Sequence, residues 1–194
     1  HTHALLVQTA AALPLAWAVA RVRGDPVALR RRWLAAIWLV LVSHALLDAL
    51  TIYGTQLGLP LSGYPFGLGS VFIIDPAYTV ALLLGIVAAL LWPRHGPRWA
   101  LAALALSTAY LGWSVVAQQM VEQRARDALA ARDLPYQRML ATPTPFNTLL
   151  WRVVAVGENA HWEGFYTVGS GRDIRFHRYE RSPELLRGIE DLWA

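Results

Sequence analysis

Four apolar runs separated by short connections fill the first 118 residues, at about 4–20, 33–51, 76–92 and 98–117. A helix rising 1.5 Å per residue needs about 20 apolar residues to cross roughly 30 Å of hydrocarbon, so each run is a candidate span. The first is short, and Pro14 predicts a kink in it. The third opens on Asp75-Pro76, an N-cap residue followed by proline at the first helical position. Beyond residue 118 the pattern changes. AQQMVEQRARDALAARD (117–133) has helix-forming composition and carries the fourth run on into water, until LATPTPFN breaks it. TLLWRVVAV, AHWEGFYTV and DIRFHRYER, separated by Gly157-Glu158-Asn159 and GSGR, predict three strands of an antiparallel meander. SPELLRGIEDLW predicts a closing helix, with Ser182 as N-cap and Pro183 behind it. The expected fold is a membrane α-helical protein with at least four transmembrane helices (1–118). A small C-terminal α+β domain built on a β-meander (119–194) follows it.

Composition sharpens this division. Only 15% of the 194 residues are charged, against about a quarter in an ordinary soluble domain. Residues 1–118 hold three acids, Asp25, Asp48 and Asp75, while 119–194 hold the other ten, balanced by ten arginines. All seventeen basic residues are arginine, and they are not massed in one segment, so no direct nucleic-acid binding is expected. The absence of cysteine excludes disulfides, thiolate metal sites and cysteine nucleophiles. The chain opens at His1 without an initiator methionine or signal peptide, which predicts a missing upstream portion.

Charge also orients the chain. The connection 21–32 carries five arginines and 93–98 two, whereas 52–74 carries no charge. The positive-inside rule then puts the first two in the cytoplasm and the third outside, with the C-terminal domain also outside. Arg124 and Arg126 pull mildly the other way. On this topology His3, His44, Asp48 and Asp75, from three different helices, gather near the outer membrane face.

The stretch SHALLDALTIYGTQ (43–56) carries the candidate chemistry. His44 and Asp48 are four apart, one above the other on a helix, and the same face continues to Thr51 and Thr55. Aspartate at the centre of a span costs about 2.5–3.5 kcal/mol, so such residues are retained for pairing, for a water-filled path or for function. Imidazole and carboxylate at i, i+4 can both reach one cation, and a shell without sulfur suits zinc better than manganese or iron. The plainer alternative is a helix-to-helix hydrogen bond near the interface. For Asp75 the plainer alternative is capping, and for His3 a terminal interfacial residue. His1, His95, His161 and His177 read as surface residues, and Trp33, Tyr53, Trp92 and Trp113 as interface anchors.

The segment SHALLDALTIYGTQLGLPLSGYPFGLGSVFIIDPAYTVALLLG resembles the hallmark of the bacterial membrane-bound, metal-dependent hydrolases, also described as LexA-binding inner-membrane-associated hydrolases. The matching motifs are S-H-x-L-L-D-x-x-T-x-Y-G-T-Q and I-D-P-x-Y-T. HTHALL is similar to the end of that family's H-R-G-x-T-H-S/A-L motif, and TPTPFNTLLWRVV (142–154) to a later segment. The resemblance implies His3, His44 and Asp48 as metal-site residues and Asp75 as a further candidate. The family's Asp-rich upstream stretch and the rest of the H-R-G segment do not occur in this chain, so a complete metal shell is not expected from it alone.

These readings together predict a multi-pass inner-membrane protein that hydrolyses a substrate with a divalent ion, zinc above all, at the outer membrane boundary. His3, His44 and Asp48 hold the ion. Asp75 acts as catalytic proton acceptor or completes the shell, and Thr51 or Thr55 orients the ligands. Location favours an amphipathic substrate drawn from the bilayer, such as a lipid ester or phosphoester. The alternative is a non-enzymatic membrane scaffold or regulator binding a cytoplasmic partner, with the His/Asp stripe structural. A proton-relaying transporter is a third reading, and two intramembrane acids near one face argue against it.

Overall fold

A computed structural model describes residues 2–180, which fall into two compact units, 2–69 and 70–180. In the first unit, helix α1 (Leu5–Arg23) packs against helix α2 (Arg30–Leu50). The buried positions of α1, Gln8, Ala12, Ala16 and Ala20, recur every fourth residue. Small side chains at that spacing let two helix backbones approach closely where no water drives them together. Trp38 of α2 donates to the Thr9 hydroxyl of α1 at 3.0 Å. Gly24 ends α1 at φ 66°, a left-handed conformation that costs glycine nothing. Behind it Asp25 accepts from the Trp33 indole at 2.8 Å and fixes the start of α2.

The α2 helix stops at Leu50, where Thr51 turns extended, so the polar stripe expected to run on to Thr55 ends with the helix. Thr55 instead pairs with Phe66 across the uncharged loop, by backbone bonds of 2.6 and 2.9 Å. Leu68 and Gly69 return to bond Ala49 and Thr51, closing the loop onto the end of α2.

In the second unit α3 (Pro76–Leu91) packs against α4 (Gly96–Ala130). A Cβ on Gly85 would lie 2.2 Å from the Ala103 Cβ, so only glycine allows this approach. Four strands follow, β1 (Arg138–Pro143), β2 (Leu150–Val156), β3 (Ala160–Thr167) and β4 (Phe176–Glu180), in an antiparallel sheet of order β1-β2-β3-β4. The expected meander had three strands; LATPTP, read as a helix breaker, is mostly strand β1. Its proline is tolerated because Pro143 ends an edge strand, where a missing donor breaks no ladder. One sheet face lies on the far end of α4, with Val121 and Ala125 against Trp151, Val153 and Ile174. Trp162 takes the buried position next to His161. The expected closing helix lies outside the described residues.

Among the described residues, three helical segments are long and apolar enough to cross a membrane, Leu5–Arg23, Val27–Leu50 and Pro93–Ala130. The other expected span falls on α3, whose 16 residues reach about 24 Å. The α4 helix runs unbroken through residues 118 and 119, where the sequence pattern divides membrane from polar domain.

Candidate metal centre

The local fold of the first unit brings His3, His44 and Asp48 together. His44 and Asp48 sit one turn apart near the end of α2, as the i, i+4 spacing requires. His3 stands just before α1, whose first residue is pinned to the uncharged loop by the Leu5 N–H bonding the Leu57 carbonyl at 3.0 Å. His3 Nε2 lies 3.1 Å from Asp48 Oδ2 and 3.3 Å from His44 Nε2, and His44 Nε2 lies 3.7 Å from Asp48 Oδ2. It is the one such His/Asp/Glu group among the described residues.

These separations test whether an ion fits. Zinc ligands at about 2.0–2.1 Å in a tetrahedron stand about 3.3 Å apart, within the range of the three distances found. A proton serves one pair of the three atoms well. A cation at their centre would serve all three at once. The donor set fits a divalent ion of zinc type, and three protein ligands leave a position open. On the far side of the His3 ring, Nδ1 lies 3.3 Å from the Thr2 hydroxyl, a contact that orients the ring with Nε2 towards the other donors. The side chains of His3, His44 and Asp48 are 41%, 61% and 38% exposed, so a ligand can reach them without unfolding. Thr51 donates its hydroxyl to the Asp48 backbone carbonyl at 2.6 Å, holding the helix end and not the carboxylate.

Asp75 belongs to the second unit and is almost fully buried. Its Oδ1 accepts from the Ala77 and Tyr78 N–H groups at 2.9 and 3.3 Å, capping α3 as Asp-Pro predicts. Its Oδ2 accepts from the Tyr110 hydroxyl at 2.8 Å, and that oxygen in turn accepts from Thr148 at 3.1 Å. Sequence reasoning missed both partners. Tyr110 lies 35 residues from Asp75 and Thr148 a further 38, and no local spacing connects them. The available signal is a tyrosine hydroxyl inside an apolar run, which has to find a partner when buried.

A family model described as "YdjM inner membrane protein" matches residues 1–121, more than half of the chain. The chain belongs to the YdjM inner membrane protein family. YdjM membership and the apolar helices together make it an inner membrane protein. The YdjM match spans His3, His44, Asp48, Asp75 and Tyr110, and it ends inside α4, short of the sheet. No curated protein and no solved structure matches the chain.

Proposed function

We propose that this YdjM-family protein is a metal-dependent hydrolase working at the outer face of the inner membrane. The observation that carries the reading is the convergence of His3 Nε2, His44 Nε2 and Asp48 Oδ2 within 3.1–3.7 Å of one another. These three side chains hold the ion, zinc by their chemistry. Once bound, a divalent ion supplies Lewis acidity, polarising a scissile ester or phosphoester and lowering the pKa of water towards about 7. Thr2 keeps the His3 ring turned for binding. Asp75 is read as a positioning group, because both of its oxygens already accept hydrogen bonds.

Orientation is part of the proposal and rests on the seven arginines of 21–32 and 93–98. The chain has no native cysteine, so single introduced thiols report cleanly. Cysteines at Ser62 and Ser170 are expected to react with a membrane-impermeant thiol reagent in intact cells, and one at Ala28 is not. The reverse pattern would move the site to the cytoplasmic face.

A substrate with an acyl or prenyl tail is supported by the loop that anchors α1. Its residues 57–70 carry no charge, and Leu61 and Phe66 are 86% and 42% exposed. Apolar side chains displayed in this way rest more favourably in the membrane interface than in water. Phe66→Asp is expected to lower kcat/KM on a tailed substrate at least tenfold more than on its short soluble analogue. Equal effects on both would point to a water-soluble substrate.

A further inference from the structure

The second unit carries a basic concavity that the metal centre does not use and that lies beyond the residues matching the family. It has a volume of about 1040 Å³ and opens beside the sheet, lined by Arg132, Arg172, Arg175, His177, Asp173 and Phe165 among others. Three arginines there face one carboxylate. Two arginines elsewhere in the unit are paired: Arg152 bonds Glu163 at 2.6 Å, holding that carboxyl below its usual range, and Arg126 bonds Glu122 at 2.7 Å. Among the described residues Arg172 and Arg175 have no carboxylate within 4.0 Å, although Asp173 stands between them in sequence. Arg132 donates to the Ala128 carbonyl at 2.8 Å, which offsets the negative end of α4 at the rim of the concavity.

Local backbone geometry presents these charges. Gly169 and Gly171 adopt φ 81° and 64° on either side of Ser170, a tight turn that only glycine makes without strain. Ile174 is buried beneath the turn, so the neighbouring Arg172 and Arg175 are carried on a fixed support, both exposed. Guanidinium groups offer planar pairs of donors that match phosphate oxygens, and uncompensated positive charge in a concave wall focuses the field on an anion. The volume far exceeds that of phosphate alone, leaving room for the body of a phosphorylated molecule against the half-exposed Phe165 ring.

From this we infer that the groove between the end of α4 and the β3–β4 turn binds a phosphate-bearing anion, through Arg172 and Arg175. A lipid headgroup and a soluble phosphomonoester share that chemistry, and the experiment separates them. Full-length protein, treated with chelator so that no metal contributes, is placed in neutral phosphatidylcholine nanodiscs and titrated with glycerol 3-phosphate, followed by calorimetry. A parallel preparation contains phosphatidylglycerol and no soluble phosphate, and native mass spectrometry counts retained anionic lipid. Saturable binding in either arm is expected, weakened at least fivefold by Arg172→Gln or Arg175→Gln and less than twofold by Arg126→Gln. The arm that binds names the source. Absence of binding in both arms overturns the inference. So does binding indifferent to Arg172→Gln and Arg175→Gln, or weakened equally by Arg126→Gln.

Discussion

Asp48→Ala is expected to weaken zinc binding by the purified full-length protein at least tenfold, and His44→Ala to do the same. Each change removes one of the three donors that converge among the described residues, and a tenfold loss corresponds to about 1.4 kcal/mol of binding free energy. Asp48 is the more sensitive of the two, because its Oδ2 stands within reach of both imidazoles, at 3.1 and 3.7 Å, and supplies the negative charge of the set. The fold should tolerate both replacements, since the His44 and Asp48 side chains are 61% and 38% exposed and support no core. Equilibrium dialysis against zinc, with circular dichroism to check the helices, makes the comparison. Unchanged metal content in both variants, with the helices intact, would favour the scaffold reading. The histidine–aspartate stripe would then be an ordinary polar contact between α2 and His3, just ahead of α1.

The second large effect is on stability. Asp75→Ala removes the cap of α3, a loss of typically about 1 kcal/mol, and leaves the Tyr110 hydroxyl without its acceptor, about 1–3 kcal/mol more. The expected destabilisation is therefore about 2–4 kcal/mol, read by thermal or detergent-induced unfolding of the reconstituted protein. Asp75→Asn keeps a side-chain oxygen for the Ala77 and Tyr78 N–H groups and should recover the share of the cap, about 1 kcal/mol, while its amide nitrogen cannot accept from the Tyr110 hydroxyl. Zinc affinity is expected to be the same in both variants. If Asp75→Asn instead abolished hydrolysis while stability and zinc binding stayed at wild-type levels, Asp75 would be a proton acceptor and not a positioning group.

Local chemistry was legible wherever it depends on residues near one another in sequence. The cap at Asp75-Pro76 and the facing pair His44 and Asp48 follow from helix geometry alone. That His3 joins the pair follows only in outline, because charge counting assigns a membrane face but not a distance across 41 residues. The end of α2 followed to within a residue from the apolar run 33–51, but the polar stripe did not reach Thr55: the chain turns extended at Thr51 to enter a loop rich in glycine and proline. Strand β1 was missed for a different reason. The two prolines of LATPTP read as helix breakers, yet Pro143 ends β1 itself, an edge strand, which accepts proline where a central strand does not. The Asp75–Tyr110–Thr148 chain depends on α3, α4 and the β1–β2 connection meeting, which no single-element pattern encodes.

The most direct measurement is X-ray absorption at the zinc edge on full-length protein reconstituted in lipid, with zinc counted per chain. Close to one zinc per chain is expected, with two imidazole ligands, a carboxylate oxygen and no sulfur. Absence of stoichiometric zinc in a folded preparation would contradict the account. So would a shell without histidine, or one that persists unchanged in His44→Ala.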